Sequence, residues 1–576
     1  MTPARLIGKL TALRSDRSGA IGVRGRAAPL HGVLPGSAPA GLAGALLGLI
    51  FFVAVYGVSI LSPTRIDWLL HGDPAQHYLG FAFFRHEPWA WPLGAIAGFG
   101  APLGTSLVYT DAIALLAIPF KLLSGWLPTD FQYLGGWMLL CYLLQGVYAE
   151  RVLARLGVTG LASALATVLL LTSPALALRA YGHESLMAHW LLLAAFEAHL
   201  VGRPRRLAPL WALGALIHAY WIALLAPFVL AGWLRRELSW AHRIGWLATI
   251  VALMTAVGYF VTRPEQLAGV GYSQYSANLL TFIDPMDWQV FLANFGRPLE
   301  VAAEWSRWLP AQGHAQPEQY EGFAYLGSGV LLLLACAALS RGLSGRARRP
   351  SAQGPGSRPS LALLLFLALV LFAYALSTRI TLGARVLADP ALPERLAQLL
   401  AVFRATGRFV WPLALLLPLW ACAQLSARLS RASLAGLLLA AGALQVWDLS
   451  AKWDEFGARF APGGIGRQVA HDQPAWQAAA KARHLIVLPA NNERDWIAPT
   501  LFAARHQQSV NIGLISRADE KALQRAEAQA IASLLAGRAQ AQTAYLIRDP
   551  ALLARLPRLP SLQRLPLPDG VMLAPR

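Results

Sequence analysis

Residues 41–62 read GLAGALLGLIFFVAVYGVSILS and contain no charged side chain. A helix of about 20 apolar residues crosses a bilayer core of roughly 30 Å, so this run predicts a membrane-spanning helix. It starts too late and is too long for an ordinary cleaved signal peptide, which favours an anchor that remains in place. The preceding residues 1–40 are rich in Arg, Gly, Ala and Pro and predict a disordered basic tail.

Similar apolar runs recur along the chain, which is 56% hydrophobic and only 14% charged. A soluble domain is nearer half apolar and a quarter charged. The sequence therefore predicts an all-α polytopic membrane bundle of about eleven transmembrane helices within residues 41–450. The predicted spans are 41–62, 133–153, 160–178, 186–202, 207–218, 219–233, 243–262, 323–340, 361–378, 408–425 and 433–450.

The distribution of arginine predicts the orientation. Arginines are concentrated before the first span and in loop 341–360, whereas segment 263–322 is acidic or balanced. Since cytoplasmic loops carry the excess of Lys and Arg, the N-terminus is predicted to be cytoplasmic. The predicted outer segments are the loops 63–132, 263–322 and 379–407 and the C-terminal part 451–576.

Two apolar segments do not fit single spans. Segment 112–126 is short and contains Pro119 and Lys121, which predicts a helix along the outer membrane surface. Segment 207–233 is too long for one span and has a polar break at His218, which predicts two short helices that meet there. Such breaks at membrane depth are tolerated where they are buried in protein or line a cavity.

The character of the chain changes after residue 450. Its apolar stretches shorten to strand length at 484–489, 509–514 and 543–547, and segment 518–536 is an amphipathic helix by its periodicity. Alternating strands and helices predict a small soluble α/β domain, residues 451–576, outside the membrane.

Composition also excludes some functions. The net charge of +19 is divided into short clusters between apolar runs, so no basic soluble module for nucleic acid is present. The three cysteines lie inside apolar runs, and neither a disulfide framework nor a cysteine metal site is implied. No P-loop, dinucleotide fingerprint or HExxH motif occurs, so nucleotide hydrolysis is not suggested.

The first outer loop contains the strongest candidate for chemistry. Asp73 follows the first span and precedes His77 and Tyr78, and Asp111 comes just before the predicted surface helix. A carboxylate at a membrane surface is well placed to accept a proton from a substrate hydroxyl. The alternative is that Asp73 only caps a helix, since Asp-Pro is common at helix starts.

The motif GDPAQHY at 72–78 and the stretch from Ala101-Pro102-Leu103 to Lys121 give the chain a resemblance to the GT-C superfamily. This superfamily of membrane glycosyltransferases includes the aminoarabinose and protein O-mannosyl transferases. The chain is also similar to a family of bacterial membrane proteins with the same plan. Where the superfamily often has Asp-Glu, this chain has Asp73-Pro74.

The resemblance implies a GT-C-like bundle in the bacterial inner membrane, with a cytoplasmic N-terminus and a periplasmic C-terminus. It implies transfer of a sugar from a polyprenyl-phosphate donor to a glycan, lipid or protein acceptor of the envelope. The donor's phosphate would be the leaving group, and Asp73 would be the catalytic base. Membrane lipid would be a further partner.

Other residues complete the predicted substrate-binding set of His77, Tyr78 and Asp111. Arg404 and Arg408 suit a phosphate because guanidinium groups bind it bidentately, although arginines also extend from helix ends to the interface. His183 and Glu184 could bind sugar hydroxyls or a divalent cation, which is the one possible cofactor; capping and packing are the alternative.

Two other functions remain open at the level of sequence. A transporter or flippase would favour charges deep in the bundle, and the predicted spans contain almost none. A non-catalytic scaffold that presents the C-terminal domain is the second alternative. Release of polyprenyl phosphate by the purified protein, and its loss in Asp73→Asn, would separate an enzyme from both.

Overall fold

The computed structural model describes residues 41–234, 238–261, 272–287, 303–343, 361–464, 466–491 and 494–576. The described ranges omit only residue 262 of the predicted span 243–262 and residues 465, 492 and 493 of the predicted domain 451–576. Three further sequence predictions lie wholly or partly outside the described residues. They concern the tail 1–40, the loop 263–322 at 263–271 and 288–302, and the loop 341–360 from residue 344 onwards.

The chain up to residue 460 is mostly helical in its described parts. The helices are Leu42–Tyr56 (α1), Gly72–Phe84 (α2), Ala114–Leu122 (α3), Leu134–Arg155 (α4), Leu161–Leu171 (α5), Pro174–Ala177 (α6), Trp190–Leu200 (α7), Leu207–Ile217 (α8), Ala219–Trp233 (α9), Trp240–Val257 (α10), Ser328–Leu343 (α11), Leu361–Leu376 (α12), Glu394–Leu400 (α13), Trp411–Ser426 (α14) and Arg431–Phe460 (α15). Two small antiparallel hairpins accompany them, Ala95–Ile96 (β1) with Thr105–Ser106 (β2) and Ile380–Leu382 (β3) with Arg385–Ala388 (β4).

The prediction of an all-α bundle with about eleven spanning helices is wrong. Among the described residues, three helical segments are long and apolar enough to cross a membrane: Trp240–Val257, Thr406–Ser426 and Arg431–Phe460. A fourth is obtained if Leu161–Leu171 and Pro174–Tyr181, which are bent by 43° at their junction, count as one span. The fold is mixed, since a five-stranded sheet accompanies the helices.

The error comes from equating an apolar run with a span. Helix α1 has 15 residues and ends at Gly57, whose φ of 71° lies in the left-handed region. At 1.5 Å per residue it is about 22 Å long, shorter than a bilayer core. Helix α7 is apolar for another reason, because its residues from Trp190 to His199 are buried inside the protein. Sequence alone does not distinguish a protein-covered helix from a lipid-covered one.

Two local predictions agree with the structure. Helix α8 ends at Ile217 and α9 begins at Ala219, while His218 between them is extended, with φ −166° and ψ 146°. The predicted pair of short helices meeting near His218 is therefore confirmed. Helix α3 forms inside the predicted segment 112–126, and it is followed by Trp126, whose side chain is highly exposed. Its contact with a membrane surface stays a prediction.

Helices α1 and α4 approach closely through glycine. A Cβ on Gly146 would lie 1.9 Å from the carbonyl oxygen of Gly44, and a Cβ on Gly44 would lie 2.1 Å from that of Gly146. The amide of Gly44 also donates to Glu150 Oε2 at 2.7 Å. Small residues allow such backbone contact between neighbouring helices, so this pair holds α1 against the core.

The C-terminal part forms one mixed sheet with helices. Its strands are His484–Leu488 (β5), Ser509–Val510 (β6), Thr543–Ile547 (β7), Leu562–Leu567 (β8) and Gly570–Pro575 (β9), in the order β6-β5-β7-β9-β8. Its helices are Pro474–Ala479 (α16), Ile497–Arg505 (α17), Glu520–Leu535 (α18) and Pro550–Arg555 (α19). The parallel strands β5, β6 and β7 and helix α18 occur where the sequence predicts them. The hairpin β8–β9 was missed, because the prolines of segment 562–575 weaken a strand pattern.

The C-terminal domain is attached to the first outer loop by backbone pairing. Val510 donates its amide to the carbonyl of Gly98 and accepts from the amide of Ala101, both at 2.8 Å. An ion pair of 2.8 Å between Arg505 and Asp130 adds a second attachment. The loop that follows β6 is thereby held beside helix α2, where the charged residues of the chain converge.

Candidate functional site

Helix α2 places two of the predicted residues on one face. Asp73 and His77 are four residues apart, which aligns their side chains along a helix. The N-cap position is His71, with no side-chain cap hydrogen bond, and Asp73 lies within the first turn. The alternative interpretation of Asp73 as the N-cap is therefore wrong. Pro74 suits this position, because the first turn needs no amide donor there.

His77 is held between two carboxylates. Its Nδ1 lies 2.6 Å from Glu184 Oε2, and its Nε2 lies 3.8 Å from Asp111 Oδ2. Burial opposes a charge on the imidazole, but the negative charges of Glu184 and Asp111 outweigh it and raise the pKa of His77 to about 10. Glu184 is fully buried, so it positions His77 and has no surface to offer a substrate.

Asp111 joins this pair to the helix break. Its Oδ1 lies 3.1 Å from His218 Nε2, so the extended residue between α8 and α9 carries a partner for the carboxylate. Burial would raise the pKa of Asp111, but His218 and His77 hold it well below its usual range. The φ of Asp111 is 55°, a left-handed conformation that aspartate tolerates better than most residues.

A second buried group surrounds Glu321. Its carboxylate contacts Arg408 Nη2 at 2.5 Å and Nε at 2.9 Å, and Arg179 Nη1 at 2.8 Å. Burial would raise the pKa of Glu321, but Arg408 and Arg179 hold it well below its usual range. The Arg408 guanidinium also lies 4.5 Å from the ring centre of Tyr220, a cation–π contact.

His183 connects the two groups. Its Nε2 lies 3.3 Å from Asp73 Oδ2 and 3.5 Å from Arg408 Nη2. Burial and the positive charge of Arg408 hold the pKa of His183 well below its usual range, so the ring is neutral at physiological pH. Because Arg408 can only donate, the Nε2 that faces it carries the lone pair, and Asp73 in its protonated form can donate to the same nitrogen.

Asp73 is the accessible acid of this cluster. Its side chain is 41% exposed, whereas the other carboxylates, Asp111, Glu184 and Glu321, are at most 10% exposed. Partial burial raises the pKa of Asp73 to about 6, with His77 opposing the rise and the neighbouring acids adding to it. A carboxyl with a pKa near neutrality that reaches the surface can both take up and release a proton.

Three residues of the cluster could hold a metal ion. The ligand atoms of His77, Asp111 and His183 all lie within 4.8 Å of one another. His77 Nε2 and His183 Nδ1 are buried and have no hydrogen-bond partner. Imidazole nitrogens with one carboxylate oxygen suit a zinc-like divalent ion, so the donor set fits. The proton on His77 would have to leave before a metal could bind there.

Two predicted residues lie away from this cluster. Tyr78 is buried, and its hydroxyl points to Asp130 Oδ1 at 3.4 Å, on the side of α2 that faces the C-terminal domain. Arg404 is exposed, and its guanidinium lies 4.8 Å from the ring centre of Tyr275. The predicted Arg404–Arg408 pair is therefore divided, with Arg408 buried against Glu321 and Arg404 free to face solvent.

Sequence reasoning did not assign Arg179 or His218 to the site. It considered Glu321 only as one of the loop residues that could contact a sugar, with Tyr272, Tyr275, Asn278 and Tyr320. His218 had a usable signal, since a polar residue in a break between apolar helices is a candidate for a buried polar network. Arg179 follows an apolar run and reads as an end-of-helix arginine, yet only 1% of its side chain is exposed. Its partner is 142 residues away in sequence.

Two cavities lie beside the C-terminal domain. The larger, about 1660 Å³, is between the first outer loop and the sheet and does not include the charged cluster. The smaller, about 410 Å³, is lined by Tyr109, Ser516 and Arg517 among others. Gln76, one turn after Asp73, donates to the carbonyl of Tyr109 at 2.9 Å and to Ser516 Oγ at 3.3 Å. The smaller cavity is thus adjacent to helix α2.

Comparison with known families divides the chain in the same way as the fold. Residues 45–450 match a domain of unknown function, DUF6311, and residues 475–575 match the DUF6311 C-terminal domain. No curated protein and no solved structure matches the chain. Because the two matches cover the helical part and the sheet domain in turn, the chain belongs to the DUF6311 family.

Proposed function

We propose that this protein transfers a sugar from a polyprenyl-phosphate donor to a hydroxyl group of an envelope acceptor, with Asp73 as the base. The observation that carries the proposal is the contrast between Asp73 and its neighbours. Asp73 alone among the cluster carboxylates has a largely exposed side chain, and its pKa is raised to about 6. A base of this kind needs access to substrate and a pKa near the working pH.

The bonds of the reaction can be followed atom by atom. The acceptor oxygen attacks the anomeric carbon of the donor sugar, and the bond from that carbon to the phosphate oxygen breaks. Asp73 takes the proton of the acceptor hydroxyl, and polyprenyl phosphate leaves with the bonding electrons. Asp73 then releases the proton to water at neutral pH, because its side chain is 41% exposed and its pKa is about 6. A divalent ion on His77, Asp111 and His183 would supply Lewis acidity beside the site.

A lipid-linked substrate agrees with the surface of the helices. Helix α10 exposes Trp240, Ile244 and Leu247, and α1 exposes Leu42 and Ile50. Exposed apolar surfaces of this extent are typical of membrane contact. We therefore propose a protein of the bacterial inner membrane with a cytoplasmic N-terminus and a periplasmic C-terminal domain.

The test is a transfer assay on the purified full-length protein in detergent. The donors are undecaprenyl phosphates carrying a hexose, an aminosugar or a pentose, and the product measured is free undecaprenyl phosphate. Release by the native protein and a loss of about a hundredfold or more in Asp73→Asn are expected, because asparagine keeps the shape but takes no proton at neutral pH.

The matched control is Asp454→Asn, an exposed acid outside the cluster, which should behave as the native protein. Equal activity in Asp73→Asn and native protein would overturn the role of Asp73. Absence of release with every donor would contradict the enzymatic proposal and favour the scaffold. Thermal unfolding of each variant separates lost chemistry from lost folding.

A further inference from the structure

The segment between β6 and α18 brings an arginine of the C-terminal domain to the smaller cavity. Arg517 lines this cavity together with Ser516 and Tyr109. The segment is fixed in place, because Ser516 donates its amide to the carbonyl of Tyr109 at 3.0 Å. Arg517 Nη2 donates to the carbonyl of Val402 at 3.3 Å, which places the guanidinium two residues from Arg404 along the opposing loop.

Arg517 adopts a backbone conformation that arginine avoids. Its φ is 65°, in the left-handed region, where glycine or asparagine is the usual choice. Strain of this kind is concentrated at functional sites. An arginine at such a position points to a role for its side chain, because the turn itself would favour glycine.

The two guanidinium groups lack acidic partners. Among the described residues, every other arginine near the cluster has a carboxylate, as Arg408 and Arg179 have Glu321. Within the same described ranges, no carboxylate oxygen lies at ion-pair distance from Arg404 or Arg517. The nearby Asp519 is engaged in capping α18, since its Oδ1 accepts from the amide of Ala522 at 3.0 Å. Burial, and then the charge of Arg404, lower the pKa of Arg517.

We propose that Arg517 of the C-terminal domain, which lines the smaller cavity, binds a phosphate group together with Arg404 of the last outer loop. Arg404 is not part of the cavity lining, but it lies two residues from Val402, whose carbonyl accepts the hydrogen bond from Arg517. Two like charges held near each other without a counter-ion favour an anion between them, and guanidinium groups match a phosphate bidentately. The cavity of about 410 Å³ has room for a phosphate with its first attached group.

The identity of the phosphate rests on the proposed function, in which the donor is a polyprenyl phosphate sugar. The binding site is then composite, because each domain supplies one guanidinium. On this inference, the function of the C-terminal domain is to supply Arg517 to the phosphate site. Without that domain, Arg404 would face solvent alone. A free phosphate and a lipid phosphate present the same anionic group to the two arginines. Only the lipid phosphate carries an apolar chain, which can add affinity.

The experiment measures binding to the full-length protein in detergent by titration calorimetry. The probes are farnesyl phosphate, inorganic phosphate and farnesol, and the variants are Arg517→Gln and Arg404→Gln. Each variant is expected to weaken farnesyl phosphate binding by about tenfold or more, the effect of losing one charge-assisted hydrogen bond. Farnesol binding should be unchanged. Equal affinity and equal losses with inorganic phosphate would assign the site to free phosphate instead of lipid.

Two further variants keep the test decisive. Arg525→Gln removes an exposed arginine of α18 and should bind all probes as the native protein does. Arg517→Gly relieves the positive φ, so it should unfold no earlier than the native protein while it loses phosphate binding. Unchanged farnesyl phosphate binding in Arg517→Gln and Arg517→Gly would overturn the proposal, as would a native protein that binds no phosphate probe.

The outcomes separate this inference from the proposed function. If Asp73→Asn abolishes transfer while the Arg517 variants bind farnesyl phosphate normally, the proposed enzymatic function is supported and the proposed composite phosphate site is refuted. If phosphate binding depends on Arg517 but no donor is consumed, the proposed phosphate site is supported and the proposed glycosyltransferase function is refuted.

Discussion

The carboxylate of Glu321 receives two hydrogen bonds from the guanidinium of Arg408, at 2.5 and 2.9 Å, and a third from Arg179 at 2.8 Å. All three side chains are at most 8% exposed. One buried carboxylate thus forms ion pairs with two buried guanidinium groups, and the neutral ring of His183 lies beside them. This arrangement makes the cluster sensitive to any change in its charges.

Glu321→Gln should destabilise the protein strongly. The substitution leaves both arginines buried without an acid, and breaking a buried ion pair by removing one partner costs about 3–5 kcal/mol. We expect a large drop in the thermal unfolding temperature in detergent. Glu394→Gln, on the exposed helix α13, is the control and should change stability by no more than about 0.5 kcal/mol. A similar unfolding temperature for both variants would contradict the importance of the pair.

The transfer reaction should become faster as the pH rises through about 6. Asp73 must be ionised to accept a proton, and its pKa in the folded protein is about 6. Since the folded state holds this proton more tightly than the unfolded state, stability should fall as the pH rises from about 4 to 6 and then level off. His77, Asp111, His183, Glu184 and Glu321 face Asp73 and contribute to the profile. A pH profile of stability in Asp73→Asn that kept the native slope would refute this assignment.

Gly146→Ala should separate α1 from α4. The new Cβ would lie 1.9 Å from the carbonyl oxygen of Gly44, so the helices must move apart at a cost of roughly 1–3 kcal/mol or more. Gly136→Ala lies on the same helix, and its Cβ meets no atom within 4 Å. This control should leave the protein unchanged or more stable by up to about 1 kcal/mol, because alanine favours a helix. Thermal unfolding of the two variants in detergent compares them, and equal stability would argue against a tight α1–α4 contact.

A divalent ion should stabilise the chelator-treated protein through His77, Asp111 and His183. Zinc binding measured by calorimetry is expected, accompanied by proton release as His77 loses its proton. His183→Ala should weaken binding, whereas His506→Ala, an exposed histidine of the C-terminal domain, should not. If the His183 and His506 variants bind zinc equally well, the ion does not bind at the site formed by His77, Asp111 and His183.

The C-terminal domain should lie on the opposite side of the membrane from the N-terminus. This is the orientation that the distribution of arginine predicts, and the C-terminal domain should share its side with the first outer loop, because Val510 pairs with Gly98 and Ala101. A phosphatase fused after residue 455 should be active as an exported enzyme, and one fused within 344–360 should be inactive. A cytoplasmic signal after residue 455 would contradict the predicted topology.

Local signals in the sequence were sufficient for several elements. The polar break at His218, the short helix α3 and the parallel strands β5 and β7 depend on residues close together in the chain, and these elements form where predicted. The candidates Asp73 and Asp111 were also identified locally, since a carboxylate in a polar loop beside apolar runs is conspicuous. The sequence did not show which partner each of these residues would have in the folded protein.

The sequence by itself determined the helix pair that meets at His218, the strands β5, β6 and β7, helix α18, the apolar character of the chain and the acid that we propose as the base. Only the tertiary structure decided how many helices are long enough to span a membrane, because burial in protein and contact with lipid select the same apolar residues. It also decided the pairing of charges. Glu321 meets Arg408 and Arg179 across 87 and 142 residues, and Arg517 reaches the cavity beside α2 from another domain. Electrostatic interactions depend on distance in space, and the order of residues along the chain does not contain that distance.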